Sequence, residues 1–480
     1  MVYSLCLGFY WLAVGASTSR TPPKRSPTFY QELEFTMSQK IDYLISPTWI
    51  APVIPRSCIL KDYSIAVSQS TISRILPTHE ALKNFREAPN ISLPDQLLTP
   101  GFINVHSHAA MSLLRGIADD RNMMDWLSNW IWPIEAKLVD PSFVLDGTQL
   151  AGVEMIMGGT TTVADNYFFP DASSSAFASL GMRAQIGIPV LKFKNNWAND
   201  ERDHLAKCLT LLDRQQDNSL QSLSLSPHAP YSVTDEGFLR IAELAKKKKL
   251  KIQLHLHETS QEIQDSLDEW GLRPLARIEN LGILNRSLQA IHLTQLNSEE
   301  IERLAKNEVH VGHCPESNMK LGSGICPISD LLAKNVNVAI GTDSAASNND
   351  LDMLQEVRTA SFLSKAVTND ATQIPAEDCL EMITLNGAKF LGLEHKIGSI
   401  EVGKLADLTA IDMSSIALKP VYNPLSQLIY NCTSANISNV WIDGKQILQN
   451  KELLKFKMPE LERRVDIWEE KIMSLASKIS

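Results

Sequence analysis

The chain has 480 residues, with 45 Lys+Arg against 55 Asp+Glu for a formal net charge of −10, and is 44% hydrophobic and 21% charged. These proportions belong to a folded globular protein and exclude disordered, collagen-like and membrane-spanning classes. The negative balance offers no electrostatic footprint for nucleic acid or anionic lipid.

In chain order, residues 1–36 differ from the rest. MVYSLCLGFYWLAVGAS is apolar and ends in small residues like an export signal, and SRTPPKRSPT reads as a connector. Residues 1–36 are thus either an export leader or an upstream extension, and the missing basic residues that precede the apolar run of a signal peptide favour the extension, ahead of a start at Met37. Residues 37–99 carry short apolar runs punctuated by Pro and Ser, and 395–450 repeat that texture in GKLADLTAIDM and NVWIDGKQIL. The two flanks are expected to pair as one small β-sandwich. Between them, in 100–394, strand-like GFINVHSH, TTTVADNY, MRAQIGIPVL, LSLSPHAP, KIQLHLHE, LQAIHLTQL, EVHVGHCPE and NVAIGTDSA alternate with helical patterns such as TDEGFLRIAELAKK, NSEEIERLAKN and PISDLLAKN. Eight strand signals with helical crossovers predict an α/β architecture, a (β/α)₈ TIM-like barrel. Lys246 to Lys249 close a helical pattern, where they favour the helix C-terminus. Residues 451–480 are read as a C-terminal helix, and no run of about 20 apolar residues could span a bilayer. The seven cysteines (Cys6, Cys58, Cys208, Cys314, Cys326, Cys379, Cys432) form no CxxC pair, which points to packed thiols in a reducing, cytoplasmic setting.

Eight of the eleven histidines lie in or just after the strand patterns, where barrel enzymes do chemistry. His106 and His108, two apart on a strand, project to one side. With His255 and with Asp343 at the end of the last strand, they make three imidazoles and a carboxylate. That set suits one Zn²⁺ or Fe²⁺ per subunit, with a position left for water. Glu258, three residues after His255, can reach that water without being a ligand, and His292 on the next strand can orient it. His257 is a rival ligand ranked below His255, because His-x-x-Glu places the base better. For His313 a structural role is as good a reading as a place at the strand end.

PGFINVHSHAAMSLLRGIADD, MDWLSNWIWPIEAK, SPHAPYSVTDE, HLHETSQEI, HCPESNMKLGSG and GTDSAASNNDLDMLQEVRTA together resemble the amidohydrolase superfamily. Within it they are most similar to the methylthioadenosine/S-adenosylhomocysteine deaminases, relatives of the triazine hydrolases. The similarity runs from about Met37 onward. It implies metal ligands at His106, His108, His255 and Asp343, a proton shuttle at Glu258, and assistance to the water from His292. It also implies nucleoside contacts from Glu135 and His228, with Trp126 and Ser347 lining the same pocket. A carboxylate at 135 suits a ribose, since it can accept from both the 2′- and 3′-hydroxyls. No Lys occurs in LSLSPHAP, where binuclear relatives carry a metal-bridging lysine, so a mononuclear site is expected.

The implied reaction is hydrolytic deamination of a 6-aminopurine nucleoside. The partners expected are a small neutral substrate, no nucleic acid and no membrane, with a homo-oligomer left open. Hydrolysis on another ring, as in triazine dechlorination or guanine deamination, is the enzymatic alternative. A non-catalytic scaffold on the same fold is disfavoured because every ligand position is filled. Two departures stand out. Relatives that take S-adenosylhomocysteine hold its carboxylate with arginine after the third strand, whereas this chain has none there beyond Arg183, so methylthioadenosine is the better substrate. Ser344 stands where the family usually has Gly.

Overall fold

Short Val-, Ile- and Thr-rich runs between helices form eight parallel strands in the computed structural model, which describes residues 40–214 and 220–479. The strands are Phe102–Ser107, Thr160–Asn166, Arg183–Val190, Gln221–Pro227, Ile252–Leu256, Leu288–His292, His310–His313 and Asn337–Ile340. Each pairs with the next in chain order. Between the eighth and the first, the Asp343 N–H donates to the His106 carbonyl at 3.0 Å. There the Asn104 side chain also donates to Thr342 Oγ1 at 2.8 Å and accepts from the Thr342 N–H at 3.1 Å. These bonds bring the sheet to a nearly closed barrel. The expected extension over 1–36 lies outside the described residues.

Alternation along the strands sorts side chains between two environments. Val105, Ile291 and Gly312 crowd against Phe390 of the helix Leu385–Leu391. His255 lies in register with Ile291 and so on the same side of the sheet, and His106, His292 and His313 are buried as well. Several of the helices between strands start on side-chain caps: Thr234 accepts from the Gly237 N–H ahead of Asp235–Lys248, and Asp140 accepts from the Phe143 N–H ahead of Pro141–Met157. Lys246 to Lys248 fill the last turn of Asp235–Lys248, and Lys249 closes it in the left-handed region at φ 56°.

The flanks join in one mixed sheet of nine strands. Asn90–Pro100 runs parallel to Tyr43–Ile50 and antiparallel to Leu408–Asp412, so N- and C-terminal segments meet at its centre. Two buried contacts fasten this sheet to the barrel. Arg183, at the start of the third strand, pairs with Asp407 at 2.9 Å with 5% and 2% of the side chains exposed, and Thr409 Oγ1 donates to the Gly159 carbonyl at 2.7 Å. The helix Met458–Ile479 lays Trp468 against Phe143, with the indole N–H donating to Asp146 at 2.9 Å. Among the described residues no helix is long and apolar enough to cross a membrane, and the six described cysteines are free.

Candidate active site

His106 and His108, near the end of the first strand, His255 on the fifth and Asp343 just past the eighth converge at the C-terminal mouth of the barrel. His255 Nε2 lies 3.2 Å from His106 Nε2, and His108 Nε2 lies 3.3 Å from His255 Nε2. Asp343 Oδ1 is 3.4 Å from Nε2 of both His106 and His108. Donors 2.0–2.1 Å from a central ion in a tetrahedral arrangement stand about 3.3 Å apart, so the four atoms have the spacing of a metal's ligand shell. Asp343 reaches this position from the left-handed region, at φ 58°. Such a conformation costs about 1–3 kcal/mol for a non-glycine residue and persists where surrounding structure enforces it.

The rings are fixed at their other nitrogen. His106 Nδ1 meets Gln253 Oε1 at 2.9 Å, His108 Nδ1 meets the Asn166 carbonyl at 2.5 Å, and His255 Nδ1 meets the His228 carbonyl at 2.6 Å. Each of those oxygens accepts, so each Nδ1 carries the proton and each Nε2 presents a lone pair. Burial and the neighbouring imidazoles push His255 well down, which keeps it neutral. The His255 lone pair stands 3.2 and 3.3 Å from those of His106 and His108, and such lone pairs repel unless a cation sits among them. Asp343 is held in the same way. Ser317 and Ser347 donate to its Oδ2 at 2.6 and 3.1 Å, leaving Oδ1 toward the histidines. Burial raises the Asp343 carboxyl, yet His106, His108 and His292 outweigh that and hold it well below the usual range.

Above the cluster opens a cavity of about 720 Å³. Glu258 lines it, and burial with the Asp343 charge pushes its carboxyl up to about 8. Glu258 Oε2 lies 3.9 Å from His292 Nε2, while His292 Nδ1 donates to Asn318 Oδ1 at 2.8 Å. His292 is itself turned into place at φ 74°. Also lining it, Glu135 of the helix Trp132–Leu138 accepts from the Tyr167 hydroxyl at 2.5 Å, and burial pushes its carboxyl up to about 7 against that bond's lowering effect. Met111, Met123, Trp126, Leu127, Ile131 and Phe168 make much of the remaining surface apolar.

Residues 97–447 match the amidohydrolase family model. The chain belongs to the amidohydrolase family. This amidohydrolase is 44% identical over 437 residues to a 5-methylthioadenosine/S-adenosylhomocysteine deaminase of Teredinibacter turnerae, covering 91% of this chain and 99% of that protein. A protein of the same name from Saccharophagus degradans is 43% identical over 433 residues, covering 90% and 97%. Among solved structures, an adenosine deaminase of Xanthomonas campestris with bound zinc superposes with a TM-score of 0.89 at 45% identity, over 90% of this chain and 99% of that one. An atrazine chlorohydrolase of Arthrobacter aurescens, at 21% identity, TM-score 0.83 and coverage of 89% and 99%, shares the fold. Family and donor cluster together make this a divalent-metal site.

All ten residues singled out in the sequence meet in the amidohydrolase's cavity or beneath it. His108, Trp126, Glu135, His228, His255, Glu258, His292, Asp343 and Ser347 line it, and His106 closes its floor against His255. Burial and neighbouring imidazoles push His228 down to about 4. His292 also falls within one donor grouping with His106 and His255, although its Nδ1 anchor on Asn318 differs from the carbonyl anchors of His108 and His255. His257, the rival ligand, instead accepts from the Leu275 N–H at 2.9 Å, on the far side of its strand. Ser344 bonds Ser347 at 3.0 Å and so extends the hydroxyl chain that orients Asp343. Arg183 is committed to Asp407, away from the cavity. Sequence reasoning passed over Tyr167, Gln253, Ser317, Asn318 and Glu262. Gln253 shares the strand parity of His255, and Ser317 and Asn318 sit inside the quoted HCPESN. The carboxylate of Glu262 accepts from the His257 and Glu258 N–H groups at 3.1 and 2.7 Å, which pins the turn carrying Glu258.

Proposed function

We propose that this amidohydrolase deaminates 6-aminopurine nucleosides hydrolytically, converting 5′-methylthioadenosine to 5′-methylthioinosine and ammonia. The observation that carries this reading is Glu135, a carboxylate held by Tyr167 in the wall of the cavity that the donor cluster also lines, where it can accept from two ribose hydroxyls. The apolar lining suits a 5′-thioether, and the curated relatives bear the names of enzymes acting on this class. His106, His108, His255 and Asp343 would hold the ion, for which the tetrahedral spacing and the zinc-bound relative support Zn²⁺.

When bound, the cation supplies Lewis acidity, lowering the pKa of water from 15.7 toward about 7. Glu258 takes a proton from the attacking water and delivers it to N1 of the purine. C6 thereby becomes electrophilic as the water oxygen bonds to it. His292, whose Nδ1 proton is given to Asn318, offers its Nε2 lone pair to the water and fixes the line of attack. The second water proton passes to the amino group, the C6–N bond breaks, and ammonia leaves. A base with a pKa near the working pH is what both transfers need. Burial beside Asp343 raises Glu258 toward that range. His228 contacts the nucleoside as a neutral imidazole. Ammonia release should be measured over methylthioadenosine, S-adenosylhomocysteine, adenosine, guanine and a chlorotriazine, with metal content on the same preparation. Turnover confined to guanine or the triazine would overturn the reading.

A further inference from the structure

The helix that carries Glu135 is short, and its C-terminus is held from outside. The Glu135 carbonyl accepts from the closing Val139 N–H at 3.0 Å, and it and the carbonyls after it have room for an outside donor, as at every helix end. Asn196, in the loop after the third strand, supplies one. Its Nδ2 amide lies 3.1 Å from the Glu135 carbonyl, 3.3 Å from that of Ala136 and 2.9 Å from that of Val139.

The loop is itself rigidly built. Asn195 Oδ1 accepts from the Trp197 and Ala198 N–H groups, both at 2.9 Å, and its Nδ2 donates to His204 Nε2 at 2.8 Å. His204 can accept there because its Nδ1 donates to the Pro189 carbonyl at 2.9 Å, at the end of the third strand. The ring is fully buried beneath Trp197 at 5.1 Å. A barrel strand, a buried histidine and two consecutive asparagines thus connect to the backbone of Glu135. Tyr167 sets only its carboxylate.

The geometry points to Asn196 as a positioning residue that sets specificity: it holds Glu135 where its carboxylate meets the sugar hydroxyls, so the third-strand loop governs preference for ribonucleosides over 2′-deoxyribonucleosides. This rests on the proposed role of Glu135. A helix released at its C-terminus lets the carboxylate retreat, which weakens contacts to the sugar and leaves the chemistry at C6 untouched.

The test compares Asn196→Ala, Asn196→Asp and Glu135→Ala with the parent on adenosine and 2′-deoxyadenosine. For Asn196→Ala, kcat/KM on adenosine falls about tenfold through KM, the scale of a lost hydrogen bond to a charged acceptor, with kcat within about twofold. Turnover of 2′-deoxyadenosine stays within about twofold. Asn196→Asp, which places a carboxylate against three carbonyls, shows the same pattern more strongly. An equal fall on both nucleosides, or none on either, overturns the inference. If Glu135→Ala abolishes the preference for ribose and the Asn196 variants keep it, the inference alone fails. If Glu135→Ala also keeps it, the ribose-binding role of Glu135 fails as well.

Discussion

Glu258→Gln tests the chemistry with the least disturbance to the site. The amide keeps the shape of the carboxyl, and Glu262 grips the residue through its backbone N–H at 2.7 Å, a contact the substitution does not touch. The four donors spaced at 3.2–3.4 Å exclude Glu258, so the metal site stays whole. General acid–base catalysis contributes about 10²–10⁴-fold per positioned group, and here one group performs two transfers. The expected loss in kcat is therefore at least about 10³-fold, roughly 4 kcal/mol. Stability should move the other way. A carboxyl raised to about 8 in the folded protein from about 4.5 in the unfolded chain binds more protons when folded across that window, so it loses stability as pH rises through it. Glutamine removes this dependence, and at pH 7 the metal-free variant should melt at or above the parent's temperature. Single-turnover ammonia release, metal analysis and thermal melts on the same samples decide the matter. Turnover within tenfold of the parent, with metal content unchanged, refutes the role assigned to Glu258.

Chelation should destabilise the protein, because three Nε2 lone pairs are then left facing one another; restoring Zn²⁺ at about 1,000 times its Kd should recover about 4 kcal/mol, read as a rise in melting temperature. Since burial raises Glu135 to about 7, KM for a ribonucleoside should fall as pH rises through that value and the carboxylate forms, and Glu135→Gln should flatten the profile. Arg183→Met leaves Asp407 uncompensated where 2% of its side chain is exposed and should cost about 3–5 kcal/mol in urea unfolding, while adding Asp407→Leu should recover much of that loss.

The barrel was legible because its strands are short apolar runs that alternate with amphipathic helices, and the donor set because His106 and His108 obey the period of a strand. Pro141–Met157 was not singled out. It is buried on almost every face, so its sequence carries no polar stripe to betray a helix. The anchors were hidden for a different reason. Gln253 reaches His106 across the barrel, while Asn318 reaches His292 and Tyr167 reaches Glu135 from separate elements, and no local pattern encodes a contact that exists only once those elements pack. The sheet built from both flanks was readable as texture alone, since the register of Asn90–Pro100 with Leu408–Asp412 depends on the barrel bringing them together.

Because each ring of the donor cluster is tethered to a different strand or its end, no fragment of the chain owns the finished cluster. His106 takes its orientation from the fifth strand, His108 from the second and His255 from the end of the fourth, while Asp343 arrives on the last. A nascent chain halted before the eighth strand would present loose imidazoles with their protons undirected. Loading with metal should therefore come late and report barrel completion, with an ion supplied early gaining its full affinity only when the seam between the eighth and first strands shuts.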